Sequence, residues 1–195
     1  MNQFHQREQQ ILDMTACLLL EYGETELTLD MVAQALDIAK GTIYKHFKSK
    51  NELYLNLLIK NQQHFLTLLE AQSNTPFDQY VSYFVSYHLD QPERTVLFHF
   101  LEEKLSQQNG LQQQFAKLYQ IRRKSLKVLI PIVEDHLRHT NSKLTPRDYL
   151  ASLWALTYGA TLLLNSSFYQ RYLGSRHTLK QRYIQQALQI SSLAL

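Results

Sequence analysis

The sequence predicts an all-α fold of about nine helices. Apolar residues recur at i, i+3, i+4 and i+7 along most of the chain, and runs alternating with period two are absent. Only five glycines and four prolines in 195 residues are available to punctuate strands. A chain of this length buries a real core, either as one large domain or as two smaller ones.

The first helix is expected from about Gln3 to Tyr22, with Ile11, Met14, Leu18 and Tyr22 on one stripe and Gly23 as a left-handed cap. Thr28 caps a second helix carrying Met31, Val32, Ala35 and Leu36. A short third helix covers about Lys40 to Phe47, and Ser49-Lys50-Asn51-Glu52 is a capping box that opens a fourth. After a break at Ser73 to Thr75, Thr75-Pro76-Phe77-Asp78 and Asp90-Gln91-Pro92-Glu93 start two more helices. The turn at Asn109-Gly110 precedes a long helix to about His139 that Pro131 should kink. Thr145-Pro146-Arg147-Asp148 starts a helix that is expected to run to Leu173, where Gly174 stops it, and the last helix covers about Thr178 to Ser192. The expected division is a three-helix helix-turn-helix head over residues 1–50 and a larger helical body over 51–195, joined by the helix at about 50–72.

Net charge is only +3, but its distribution is uneven. Seven carboxylates and one arginine occupy residues 1–38, and then Lys40, Lys45, Lys48 and Lys50 follow with no acid among them. A local basic patch of this kind is a nucleic-acid footprint. The single cysteine, Cys17, stands in an apolar run, where a small buried hydrophobe in a reducing cytosol is expected. The polar start MNQFHQREQQ is no signal peptide, and apolar runs fall short of the roughly 20 residues that span a bilayer. A soluble, cytoplasmic protein without a membrane partner is the expectation.

The segment KGTIYKHFKSKNEL, Lys40 to Leu53, carries the chemistry. A short amphipathic helix, a tight connection and a second helix rich in donors form a helix-turn-helix, whose second helix enters the major groove. Lys40 and Lys45 are the candidate base readers. Gly41 permits close backbone approach, Thr42 offers a methyl or a hydroxyl, and Tyr44 reaches phosphate or a thymine methyl. Thr28, His46 and Lys50 are candidate phosphate clamps, while Ile43 and Phe47 turn into the head core.

Over Ile11 to Leu58, about a quarter of the chain, the sequence resembles the TetR family of one-component bacterial transcriptional regulators. The resemblance rests on Gly23, Thr28, Val32-Ala33, Lys40-Gly41-Thr42-Ile43-Tyr44-Lys45-His46-Phe47 and Lys50-x-Glu52-Leu53. It implies a homodimer that binds a double-stranded DNA operator with palindromic half-sites, and a body that takes up a small-molecule effector. It also implies that the last two helices of each protomer form the dimer interface, here Tyr149–Leu164 and Tyr183–Leu195. Two positions depart from the family pattern. Asp37 replaces the usual turn glycine, and Ala39 replaces the usual serine cap of the recognition helix, a loss of about 0.5–2 kcal/mol locally.

The body offers no motif of its own. Ala151, Ala155 and Gly159 make a small-residue ridge at i, i+4 and i+8, and with Leu163 and Leu188 they are the candidate dimerisation residues. Tyr83, Tyr87, His88, His99, Tyr119 and Trp154 combine bulk with a polar handle and are the candidate ligand-binding residues. His99 with Glu102 or Glu103, and Asp135 with His139, have helical spacing but no third ligand, so no metal or cofactor is expected. No phosphate-cradling glycine loop and no nucleophile elbow is present, which argues against an enzyme. The reading is a ligand-responsive, DNA-binding dimeric repressor. The alternative is a helical ligand-binding or interaction protein with an impaired DNA-reading head.

Overall fold

The computed structural model describes residues 3–192. Among them it holds ten α-helices, a closing 3₁₀ turn and no strand. The helices are α1 (Gln3–Glu26), α2 (Leu29–Ala35), α3 (Lys40–His46), α4 (Lys50–Ala71), α5 (Phe77–Leu89), α6 (Pro92–Ser106), α7 (Gln112–His139), α8 (Pro146–Leu164), α9 (Ser167–Leu173) and α10 (Arg176–Leu188), with the turn at Ile190–Ser192. Packing divides the chain into two compact units. The first is Met1–Gln62 with Leu97–Gln120, and the second is Gln63–Val96 with Ile121–Leu195.

In the first unit α2 packs on α1 and α3. The face of α1 that is buried carries Ile11, Leu12, Thr15 and Leu19, whereas Tyr22 is exposed. The stripe is therefore rotated from the expected one. Thr15 tolerates burial because its hydroxyl donates to the Ile11 carbonyl at 2.7 Å. Cys17 is exposed, not part of the core. The course of α1 breaks at Gly23, whose φ of 77° is positive as expected but whose ψ of 171° is extended. That combination is open to essentially glycine alone.

In the second unit α5, α8 and α10 pack together around Val81, Phe84, Val85, Leu129, Tyr149 and Leu153. Each such side chain contributes about 1.5–3 kcal/mol on burial. The Tyr149 hydroxyl donates to the Ala187 carbonyl at 3.3 Å, tying α8 to α10. Thr145 and Asp148 complete a full capping box with Pro146 in the first turn, so α8 starts where the sequence places it. It ends early, at Leu164. Ser166 caps a separate α9 by accepting from the Tyr169 amide, so the expected single helix to Leu173 is two helices and the total rises to ten. Pro76 is the cap of α5 and not its first residue.

Candidate functional site

The head is assembled by caps and one strained turn. Thr28 accepts from the Met31 amide at 3.2 Å and opens α2, which buries Leu29, Val32 and Ala33. The chain then reverses at Asp37, held at a positive φ of 51°, and the Ile38 amide closes the turn onto the Ala33 carbonyl at 3.0 Å. A non-glycine residue in this region is tolerated best when it is Asp or Asn. Ala39 precedes α3 in an extended conformation and supplies no side-chain cap.

Buried Ile43 and Phe47 fix the orientation of α3. Lys40, Gly41, Tyr44 and Lys45 are consequently exposed, and their helical spacing places them on one face, while Lys48, beyond the end of α3, is exposed as well. Thr42 is half-buried. A side chain at Gly41 would meet no atom of the protein within 4 Å. The face is cationic, with one internal counter-charge: Lys40 Nζ meets Asp30 Oδ2 at 2.7 Å. That hydrogen bond raises the Lys40 pKa and keeps the ammonium charged.

Two expected phosphate clamps are placed differently. The His46 ring lies against Phe4 of α1, centroids 4.0 Å apart, with Nδ1 enclosed and without a hydrogen-bond partner. Burial pulls its pKa below the ordinary value and favours the neutral ring. Lys50 points inward. Its ammonium donates to the carbonyls of Leu27 at 2.6 Å and Glu24 at 3.2 Å and stands 5.3 Å over the Tyr54 ring, stitching the start of α4 to the α1–α2 link.

Glu52 makes a connection that sequence reasoning missed. Ser49 accepts from the Glu52 amide at 3.1 Å, but the Glu52 carboxylate reaches past the cap to the Lys48 amide at 2.7 Å. Its other oxygen accepts from Gln114 of α7 at 2.9 Å. One carboxylate thus holds the exit of α3 and the first turn of α7. Lys104 of α6 pairs with Glu24 at 2.7 Å in the same unit.

In the second unit, α5 presents Tyr80, Phe84 and His88 along its buried face. His88 sits among Phe65, Phe84, Tyr87, Trp154 and Tyr158, with ring centroids 5.1 to 5.9 Å away. The candidates Tyr87, His88 and Trp154 are brought together here, joined by Phe65 of α4, whose proximity no local pattern announced. Tyr83 is 56% exposed and lines a cavity of about 80 Å³ with Phe65, Tyr80, Phe84 and Tyr87. His99 and Tyr119 are exposed and belong to the first unit. On α8 the ridge of Ala151, Ala155 and Gly159 is exposed, while Leu163 and Leu188 are half-buried. Residues 193–195, the end of the expected interface segment, lie outside the described residues. Among the described residues no three His, Cys, Asp or Glu side chains are placed to hold a metal ion, and no helix is long and apolar enough to cross a membrane.

The amino-terminal helices of this all-α chain form a helix-turn-helix with an exposed cationic second helix, the geometry of a DNA-binding head. Residues 11–57 match the model of the bacterial regulatory proteins of the tetR family. The match is confined to the amino-terminal segment that holds α2, α3 and the start of α4. The fold of the chain is shared over its whole length with a regulatory protein of that family from Rhodococcus RHA1, at 18% identity and a TM-score of 0.73, covering 100% of both chains. The transcriptional regulator FadR from Bacillus subtilis, solved in complex with stearoyl-CoA, is 16% identical with a TM-score of 0.69, over 95% of this chain and 99% of that one. E. coli NemR in its reduced form is 15% identical with a TM-score of 0.63, over 94% and 96%. No curated protein matches the chain by sequence.

Proposed function

We propose that the chain is a cytoplasmic, non-enzymatic repressor that binds a palindromic operator as a homodimer and leaves it on taking up an apolar or amphipathic small molecule. The observation that carries the reading is the exposed face of α3. Lys40, Tyr44 and Lys45 project from a helix held by Ile43 and Phe47, inside the segment that matches the tetR-family model. Lys40 and Lys45 read bases, Tyr44 and Thr42 contact the backbone, Gly41 admits close approach, and Thr28 fixes the register at the start of α2. In this reading Lys50 and His46 act by holding the head together. The FadR structure with stearoyl-CoA supports a body that accepts a small molecule, and the aromatic cluster around His88 is the chemistry suited to one.

Coupling is a population shift. A ligand that prefers the arrangement unfit for DNA weakens operator affinity tenfold for each roughly 1.4 kcal/mol of preference. Glu52, holding both α3's exit and Gln114 of α7, is the side chain through which a displaced α7 would reach the recognition helix.

The test is fluorescence anisotropy of labelled DNA from upstream of the protein's own gene. Wild type is expected to bind it more tightly than a scrambled duplex at moderate salt, and Lys40→Ala and Tyr44→Phe to bind more weakly. One observation favours the second reading, a ligand-binding protein with a silent head: α3 has no side-chain cap. A salt slope near zero for any duplex would select it.

A further inference from the structure

We propose that the second unit takes up an uncharged, ring-bearing small molecule whose hydroxyl hydrogen-bonds to Nε2 of His88. The inference rests on the reading of this unit as the effector body and adds the chemical class of the effector.

Two polar atoms on the buried face of α5 have no partner, His88 Nε2 and the Tyr80 hydroxyl. Both side chains are more than nine-tenths buried, at 7% and 2% exposure. Buried polar groups in folded proteins are almost always paired, so each is a place where a ligand or a water belongs. Phe84 separates them by one helical turn on either side, and the rings of Phe65, Phe84 and Tyr87 stand between the two environments. Those three rings line the 80 Å³ cavity beside Tyr80 and also surround His88. The cavity is smaller than the roughly 150 Å³ that admits benzene in an apolar core. A swing of these rings joins it to His88, and an aromatic ligand replaces the ring contacts that the swing breaks.

The electrostatics select against charge. Burial, aided by Arg94, lowers the His88 pKa to about 3, so the imidazole is neutral near pH 7. The Arg94 guanidinium is taken up by Tyr87, donating to its carbonyl at 3.3 Å and lying 5.0 Å over its ring. A carboxylate entering this aromatic box would be desolvated, and to gain an ion pair it would have to draw Arg94 from its contacts with Tyr87. A hydroxyl is satisfied by either imidazole tautomer, because it both donates and accepts.

Trp154, the only tryptophan, lies 5.3 Å from His88 and reports on the site. Toluene, 4-methylphenol and 4-methylbenzoate are titrated into the full-length protein while its emission and melting temperature are followed. Wild type is expected to bind 4-methylphenol about tenfold more tightly than toluene, and 4-methylbenzoate most weakly. In His88→Phe the phenol and toluene affinities should converge, and His88→Gln should keep part of the preference. Equal affinity for toluene and 4-methylphenol in wild type, tightest binding of the benzoate, no saturable response, or a preference that survives in a folded His88→Phe protein would each overturn the proposal. Specific operator binding with none of these responses would leave the regulator standing and remove the ligand class alone. Ligand binding with no DNA binding would do the reverse.

Discussion

Lys40, the base reader of the proposed function, is already paired in the free protein. Its ammonium and the Asp30 carboxylate are 2.7 Å apart and both exposed, which puts a negative charge on the cationic face of α3. If Lys40 reads DNA as proposed, the pair would open on any duplex where Lys40 takes a phosphate, and for a guanine edge only where the sequence is right. On that reading Asp30 would suppress non-specific binding more than specific binding. In Asp30→Asn, the slope of log affinity against log salt on a scrambled duplex should steepen by about 0.9 per protomer, and the operator-to-scrambled ratio should fall. An unchanged slope would mean that Lys40 never contacts the backbone. Residues of this kind were half legible. The lysines and Tyr44 announce themselves by their spacing on α3, but their partners come from elsewhere in the chain. Nothing local says that His46 meets Phe4, or that Lys50 turns inward to the carbonyls of Glu24 and Leu27.

The elements are bounded by caps, and their stability follows the caps that are missing. α3 is weakly held at its start, because Ala39 leaves its first amides without a side-chain acceptor and it has only seven residues. Ala39→Ser should add about 0.5–2 kcal/mol to the head, read as slower amide exchange in α3 and a later urea midpoint. If exchange in α3 were unchanged, the free amides would already be satisfied by water. Helix starts were legible because Thr28, Ser49 and Thr145 carry the chemistry of caps in their own side chains, and each accepts the bond expected of it. The break at Asn165-Ser166 was hidden by the apolar run on either side, although Ser166 is itself a capping residue. The α1 stripe was misplaced by one position because Thr15 hides its hydroxyl on the Ile11 carbonyl and so behaves as a core residue.

At the scale of the whole molecule, a local motif carries the head, whereas the body's aromatic cluster draws on α4, α5 and α8 and only tertiary structure could gather it. The largest question the fold raises is what covers α8. Its inner face is buried through Tyr149, Leu153, Thr157, Ala160 and Leu164, while Ala151, Ala155, Gly159 and Leu162 share the exposed side, Leu162 at 51% exposure. An apolar helix face of small side chains, facing water in the protomer, allows another helix to approach closely, and a two-fold axis lets the same face meet itself. If α3 is the reading helix proposed, one copy would cover only a few base pairs, and operator affinity would depend on that pairing. Ala155→Glu tests it cleanly. The position is exposed and touches no core, so the protomer should keep its helicity and lose less than about 0.5 kcal/mol, but two glutamates facing each other across the axis would be desolvated and repelled. Light scattering should give a dimer mass for wild type and a protomer mass for the variant, and operator affinity should fall by orders of magnitude. A wild-type protein that stays monomeric at tens of micromolar, or a variant that keeps the dimer mass, would move the interface off α8.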